Sequence, residues 1–192
     1  MAKRVEFLFD YGSPFSYLAD TRMPGLAART GATIVYRPIL LGAVFKATGN
    51  SSPVTVPAKR NYMGSELRRW SERYGVKFRL NPYFPIDTIR VMRGAVAAER
   101  DGRFTTYHAA MFPAIWAERR NLGDDAVLRA ILDKLGVDAA AVESDEVKNK
   151  LRANTDEPIA RGVFGAPTFF VGGDMFWGND RLEWVEAALQ RA

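Results

Sequence analysis

The order of apolar segments in the 192-residue sequence predicts an α/β fold that carries a large, all-helical insertion. Apolar strands over residues 4–10 and 32–37 enclose a helix over residues 14–29, which makes the opening a β-α-β unit. Near the other end, strands over residues 167–171 and 175–177 precede a last helix, a β-β-α arrangement. The segment between the two units has the periodicity of helices.

Boundary residues support the β-α-β opening. The first strand ends at Asp10 and Gly12, Gly31 closes the helix, and Pro38 stops the second strand because it lacks the backbone donor that a strand needs. A β-α-β crossover is right-handed in nearly all proteins, so we expect that hand here.

The middle of the chain predicts a series of helices joined by a proline-rich turn over residues 81–85. Pro158 is expected to kink or restart the last of these helices, because a proline inside a helix removes one backbone hydrogen bond. Asp180 is expected to cap the final helix of the chain, with Glu183 at capping-box spacing. The predicted middle helices cover residues 57–74, a segment capped by Asp87, a segment from Phe104 to Ile115, a segment from Asp124 to Gly136, and a segment opened by Ser144.

The composition excludes several kinds of site. The chain has no cysteine and one histidine, His108, so a zinc site built from the usual ligands is not expected. A Ser-His-Asp triad would require His108, and the sequence around Ser13 is not the Gly-x-Ser-x-Gly elbow of hydrolases. We therefore expect His108 to be a packing or helix-surface residue.

The charge and hydropathy of the chain constrain its partners and its location. The net charge of +5 favours anionic partners, but the basic residues are spread over several helices and no nucleic-acid motif is present. Nucleic acid is therefore a weak candidate, and a small carboxylate substrate also fits the charge. No window approaches the roughly 18 apolar residues of a membrane span, so no membrane partner is expected. The start of the chain leaves no room for a signal peptide, and we expect a cytoplasmic protein.

Three loops are the candidate sites because they lie where strands begin or end, and α/β sheets bind ligands there. They are Gly12-Ser13-Pro14, Gly165-Ala166-Pro167-Thr168 and Trp177-Gly178-Asn179-Asp180. Each also has an ordinary structural explanation. Ser13 and the Asn179-Asp180 pair are typical helix caps, and the Ala166-Pro167 bond could be an ordinary trans bond at the start of a strand.

The three loops together resemble one known family. The runs over residues 9–19, 162–169 and 175–182 are similar to those of 2-hydroxychromene-2-carboxylate isomerases, which are related to kappa-class glutathione transferases and to DsbA-like oxidoreductases. The resemblance implies a thioredoxin-like domain over residues 1–40 and 155–192, with a helical insertion domain over residues 41–154.

The same resemblance implies glutathione as cofactor. Ser13 matches the serine that contacts the glutathione sulfur, Pro167 should be cis, and the backbone of Ala166 should pair with the glutathione peptide. A hydroxyl hydrogen bond to a charged acceptor contributes roughly 1.5–3 kcal/mol, and a helix dipole up to ~2 kcal/mol. Together they could lower a thiol pKa by about two units, so Ser13 would activate the thiol and not itself attack. The remaining residues matched to glutathione binding are Asn50, Trp177, Gly178, Asn179 and Asp180.

The resemblance further implies a glutathione-dependent cis-trans isomerisation that yields trans-o-hydroxybenzylidenepyruvates in aromatic catabolism. For the aromatic carboxylate substrate, a family lysine falls at Phe45 or Lys46, and a substrate-facing aromatic falls at Tyr83 or Phe84. The relatives also suggest a homodimer. Two alternatives remain open: a kappa-type glutathione transferase or peroxidase, and a non-catalytic thioredoxin-like binding module.

Overall fold

One mixed β-sheet organises the protein, and a computed structural model describes residues 3–192 of it. Over those residues the sheet has four strands in the order β2-β1-β3-β4. β1 pairs in parallel with β2 and antiparallel with β3, and β3 pairs antiparallel with β4. The β-α-β and β-β-α units therefore share one sheet, as predicted. The strands are β1 (Arg4–Phe9), β2 (Thr33–Pro38), β3 (Thr168–Val171) and β4 (Asp174–Trp177).

Helices make up most of the rest of the described chain. Short 3₁₀ turns lie at Pro53–Thr55, Ala141–Glu143 and Asn179–Arg181. The helices are α1 (Pro14–Asp20), α2 (Met23–Thr30), α3 (Leu41–Thr48), α4 (Pro57–Tyr74), α5 (Ile89–Arg100), α6 (Phe104–Trp116), α7 (Asp125–Leu135), α8 (Asp145–Ala160) and α9 (Leu182–Arg191).

The single helix predicted over residues 14–29 is wrong, because the structure has two helices there. α1 ends at Asp20 and α2 begins at Met23. Pro24 lies in the first turn of α2, where its missing N–H would be unpaired in any case. A proline at that position favours a new helix start over continuation of α1.

Two predictions about helix ends are also corrected. α8 continues through Pro158 to Ala160 without restarting, because Pro158 lies in the last turn. Asp180 lies in a 3₁₀ turn instead of capping α9, which begins at Leu182 without a side-chain cap. Its carboxylate pairs with Arg181.

The helical insertion and the sheet share one apolar core. Phe7 of β1 stacks on Phe169 of β3, with ring centroids 5.1 Å apart, and the same core includes Trp116 of α6 and Leu132 of α7. The proposed boundary between residues 154 and 155 falls inside α8. Across residues 3–192, no helix is both long enough and apolar enough to cross a membrane.

Candidate functional site

A cavity of about 450 Å³ lies between one end of the sheet and the helical insertion. The predicted loop residues Ser13 and Ala166 both line it. Its walls are mainly apolar, and such a volume is typical of small-molecule sites. The other predicted residues in its walls are Phe45, Asn50, Phe84 and Trp177.

Ser13 combines a structural role with a place in the cavity wall. Its Oγ accepts a hydrogen bond from the backbone N–H of Ser16 at 3.1 Å, so it is the N-cap of α1. The same hydroxyl donates to the carbonyl oxygen of Ala166 at 3.3 Å. Only 4% of Ser13 is exposed. The helix-cap explanation is therefore correct, and the hydroxyl proton is directed at the carbonyl oxygen of Ala166, another residue of the cavity wall.

The Ala166-Pro167 bond is cis, as the resemblance predicts. Within residues 3–192, no hydrogen bond involves the Ala166 N–H. The carbonyl oxygen of Pro167 accepts from the N–H of Gly178 at 3.0 Å, which ties this loop to the end of β4. The loop thus leaves a backbone donor beside Ser13 that could serve a peptide-like ligand.

Trp177 and Asn50 fix the rim of the cavity on that side. The Trp177 ring packs against Phe164 with centroids 4.9 Å apart and covers Gly165, where a Cβ atom would lie 2.6 Å from Nε1 of the indole. The Asn50 amide donates to the carbonyl oxygen of Phe164 at 3.1 Å and accepts from Ser51 N–H. Glycine at position 165 is therefore needed for Trp177 to sit where it does.

Asn179 and Asp180 line a different hollow, of about 270 Å³, and not the cavity of Ser13. Asn179 is 4% exposed, and in the part of the chain that the structure describes its buried Nδ2 has no hydrogen-bond partner. The backbone carbonyl oxygen of Asn179 accepts a hydrogen bond from the hydroxyl of Tyr74 at 3.1 Å. Gly178 precedes it at φ +110°, a conformation that favours glycine.

The sequence resemblance predicts substrate binding by Phe45 or Lys46 and by Tyr83 or Phe84. One residue of each pair lies in the cavity wall. Phe45 and Phe84 line the cavity, whereas Lys46 and Tyr83 are exposed and lie outside it. Sequence reasoning missed Lys59, the only lysine or arginine in the cavity wall over residues 3–192. Its spacing could have revealed it, because Lys59 precedes the buried Met63 by four residues on α4 and shares its face.

Asp10 is a second residue that sequence reasoning missed. Its carboxylate accepts hydrogen bonds from Gly12 N–H at 2.8 Å, from the Thr88 hydroxyl at 2.7 Å and from Leu41 N–H at 2.9 Å. Burial raises the pKa of Asp10 above its ordinary value, while these hydrogen bonds oppose the increase. Asp10 thereby joins the starts of α1, α3 and α5 around the cavity.

His108 is a buried packing residue and does not line the cavity. One ring nitrogen, Nδ1, is 2.9 Å from the hydroxyl of Tyr11, and Nε2 is 2.8 Å from Asp20. Among the described residues no Ser-His-Asp triad forms, because both ring nitrogens are engaged away from Ser13. Residues 3–192 also contain no cluster of His, Cys, Asp and Glu that could hold a metal ion.

Known proteins with similar sequences share the thioredoxin-like fold described above. Residues 4–190 match the family model of the DSBA-like thioredoxin domain. The chain is 35% identical to a 2-hydroxychromene-2-carboxylate isomerase of Sphingobium xenophagum, over 98% of this chain and 99% of the relative. Glutathione S-transferase kappa 1 of Caenorhabditis elegans is 26% identical over 98% of this chain and 91% of its own.

A solved structure of an isomerase has the same fold as this chain. The structure of a 2-hydroxychromene-2-carboxylate isomerase superposes with a TM-score of 0.87 at 33% identity, covering 98% of this chain and 95% of the other. The predicted thioredoxin-like α/β fold is thus confirmed. The chain belongs to the 2-hydroxychromene-2-carboxylate isomerase family of DSBA-like thioredoxin-domain proteins.

Proposed function

We propose that this protein is a glutathione-dependent cis-trans isomerase. Its substrates would be 2-hydroxychromene-2-carboxylates and similar aromatic compounds, and its products trans-o-hydroxybenzylidenepyruvates formed in aromatic hydrocarbon catabolism. The observation that carries the proposal is the Ser13 hydroxyl, which lies in the wall of an apolar cavity beside the N–H of Ala166, a donor without a partner among residues 3–192. The names of the curated relatives support the same reaction class.

The residues around Ser13 fit glutathione. A tripeptide needs backbone partners, and Ala166 offers an N–H that no group of the described chain uses. Its carboxylates need hydrogen-bond donors, for which the cavity has Asn50 and a separate hollow has Asn179, whose Nδ2 has no partner among residues 3–192. When bound, glutathione supplies a nucleophilic sulfur that can add reversibly to a conjugated double bond and free it to rotate.

Ser13 would hold the sulfur in its charged form. Its hydroxyl donates to a neutral carbonyl, that of Ala166, at the long distance of 3.3 Å. A thiolate is a stronger acceptor, because hydrogen bonds to charged groups are about twice as strong as neutral ones. The proton of Ser13 would therefore turn from Ala166 to the sulfur, and the apolar walls would strengthen that bond by excluding water.

The substrate would occupy the rest of the cavity. Phe45 and Phe84 contribute aromatic side chains to the cavity wall that would pack on a planar ring, and Lys59 would supply the positive charge for its carboxylate. Positioning the sulfur and the alkene in one water-poor cavity is the main contribution that such a site can make to an isomerisation.

The experiment is a turnover assay with 2-hydroxychromene-2-carboxylate, followed by absorbance, with and without glutathione. We expect isomerisation that requires glutathione and leaves its concentration unchanged. A kappa-type transferase is the second candidate, since a kappa-class protein aligns with 98% of this chain. That activity would consume glutathione in proportion to product. Glutathione binding without turnover of either kind would instead indicate a binding module.

A further inference from the structure

The side chain of Met63 forms part of the wall of a second, separate hollow. This outer compartment, of about 250 Å³, is lined by three residues that also line the Ser13 cavity and by five others, Val54, Arg60, Gly64, Leu80 and Asn81. The three shared residues are Met63, Phe84 and Pro85. They form a thin partition with the Ser13 cavity on one side and the outer compartment on the other.

Of the three partition residues, Met63 has the most adaptable side chain, although it is 7% exposed and belongs to a buried apolar cluster with Leu18, Val54 and Leu67. Phe84 is held edge-on against Trp116, with centroids 5.4 Å apart, and its N–H donates to the carbonyl oxygen of Asn81 at 3.1 Å. Pro85 has a rigid ring. Met63 is an unbranched thioether with three rotatable bonds, and such side chains adapt easily to irregular spaces. Rotation of Met63 is therefore the simplest way to join the two hollows.

The outer compartment has the polarity and size that suit an aromatic ring. An apolar cavity of about 150 Å³ can bind benzene, so a compartment of about 250 Å³ has room for at least one ring. Two polar side chains also line it: the Asn81 amide donates to Ile115 and Arg120 and its side-chain carbonyl accepts from Tyr83, and the Arg60 Nε donates to the carbonyl oxygen of Val54 at 2.9 Å. The Asn81 amide is thus already paired, so the compartment offers a ring the apolar surface of Val54 and Leu80, with the Arg60 side chain at its wall.

Leu80 is the second sign of an unfilled apolar site. It is 52% exposed although it is a large aliphatic side chain, and it faces the compartment. The compartment also opens towards solvent along Gly64 and Pro85, which are both exposed. A long ligand could therefore extend from the Ser13 cavity past Met63 without meeting a closed end.

We propose that Met63 is a movable wall, and that the outer compartment binds the distal rings of elongated polycyclic aromatic carboxylates. The proposal rests on the proposed function for the aromatic carboxylate in the Ser13 cavity, and it adds the residue that sets the length of that ligand. Small ligands would leave Met63 in place, whereas longer ones would displace it and gain apolar contact with Leu80 and Val54.

The test measures equilibrium binding of three unreactive carboxylates of increasing length by titration calorimetry, in the presence of glutathione. These are benzoate, 2-naphthoate and 2-anthracenecarboxylate. Met63→Ala removes the movable wall, and Gly64→Leu fills the outer compartment from the same helix at a position where a Cβ meets no other atom within 4 Å. Met175→Ala, on β4 away from both hollows, is the matched control for loss of a methionine.

We expect Met63→Ala to tighten 2-anthracenecarboxylate about tenfold and to leave benzoate unchanged, in keeping with the effect of one added group in an apolar pocket. Gly64→Leu should weaken only the longest ligand, and Met175→Ala should alter none. Equal effects on all three ligands, or no binding of 2-anthracenecarboxylate, would overturn the proposal. Ring-size dependence without any isomerase activity would leave the subsite standing and refute the proposed function instead.

Discussion

The hydroxyl of Ser13 and the carbonyl oxygen of Ala166 are 3.3 Å apart, although 153 residues separate them in the chain. Ser13 follows β1 and Ala166 precedes β3, and these two strands are neighbours at the centre of the sheet. Their pairing brings together two loops that the sequence can only describe separately. The predictions below concern the cavity that this pairing creates.

Ser13→Ala should abolish most of the glutathione-dependent activity. Loss of one hydrogen bond to a charged sulfur is expected to raise the activation free energy by roughly 1.5–3 kcal/mol, which reduces turnover about ten- to a hundredfold. The substitution also removes the N-cap of α1, at an expected cost of about 1 kcal/mol in unfolding free energy. Turnover and urea unfolding, measured on the same preparation, separate the two effects.

Ser16→Ala is the matched control for that substitution. Ser16 is fully buried in α1, and among residues 3–192 its hydroxyl has no hydrogen-bond partner. Removing an unsatisfied buried hydroxyl is expected to leave stability unchanged or slightly increased. Turnover should match that of the unmodified protein. Equal loss of activity in both variants would show that Ser13 acts only through the packing of α1.

Gly165→Ala should weaken glutathione binding by displacing Trp177. The new Cβ would lie 2.6 Å from the indole Nε1, so the ring must move, and overpacking of this kind typically costs about 1–3 kcal/mol. Gly173→Ala is the control, since a Cβ there meets nothing within 4 Å. Calorimetric titration with glutathione checks both. Unchanged affinity in Gly165→Ala would mean that Trp177 does not contribute to the site.

Lys59→Met should raise KM for the aromatic carboxylate and leave kcat nearly unchanged. A charge that holds the carboxylate equally in the ground state and the transition state affects only binding. Because Lys59 is exposed, we expect an increase of about fivefold, corresponding to ~1 kcal/mol. Lys46→Met, outside the cavity wall, should have no effect on either constant. Steady-state kinetics with both variants would contradict this assignment if Lys46→Met had the larger effect.

Asp10→Asn should change how stability depends on pH. Burial raises the pKa of Asp10 in the folded protein above the ordinary value of 3.8, so folding favours its protonated form. The stability that this protonated form contributes is fully present below pH 3.8, and it is lost as the pH rises through the raised pKa. The stability of the unmodified protein relative to Asp10→Asn should therefore be greatest in acid. Urea unfolding at several pH values measures this difference.

Thr88→Val controls for the hydrogen bonds of Asp10. It removes the 2.7 Å bond from the Thr88 hydroxyl to Asp10 and leaves the ionisable group in place. Its unfolding free energy should be lower, since burial of Asp10 is then less well compensated. The dependence on pH should persist in this variant. A pH dependence that is unchanged in Asp10→Asn would show that another group is responsible.

The sequence predicted those features that depend on local pattern. Residues 57–74 form a helix with the predicted bounds, because Pro57 and Gly75 mark its two ends. Ser13 is the N-cap that its sequence context indicates. The break after Asp20 was not predicted, since the apolar pattern of α1 continues into α2 and only Pro24 signals the new start.

Which residues line or surround the cavity depends on tertiary contacts that the sequence pattern does not predict. Asp10 follows an apolar strand like many exposed turn residues, and its role appears only when Leu41 and Thr88 come within hydrogen-bond distance. The four-residue spacing of Lys59 and Met63 indicates that they share a face of α4, but the cavity beside that face is formed by tertiary contacts. His108 became a buried partner of Tyr11 through the packing of α6 against β1.

The most direct test is the pKa of the glutathione thiol in the complex, measured from the ultraviolet absorbance of the thiolate as a function of pH. With the unmodified protein we predict that glutathione binds and that its thiol pKa falls below that of free glutathione, whereas with Ser13→Ala it returns towards the free value. Failure of glutathione to bind, or an equal thiol pKa in both proteins, would contradict the account.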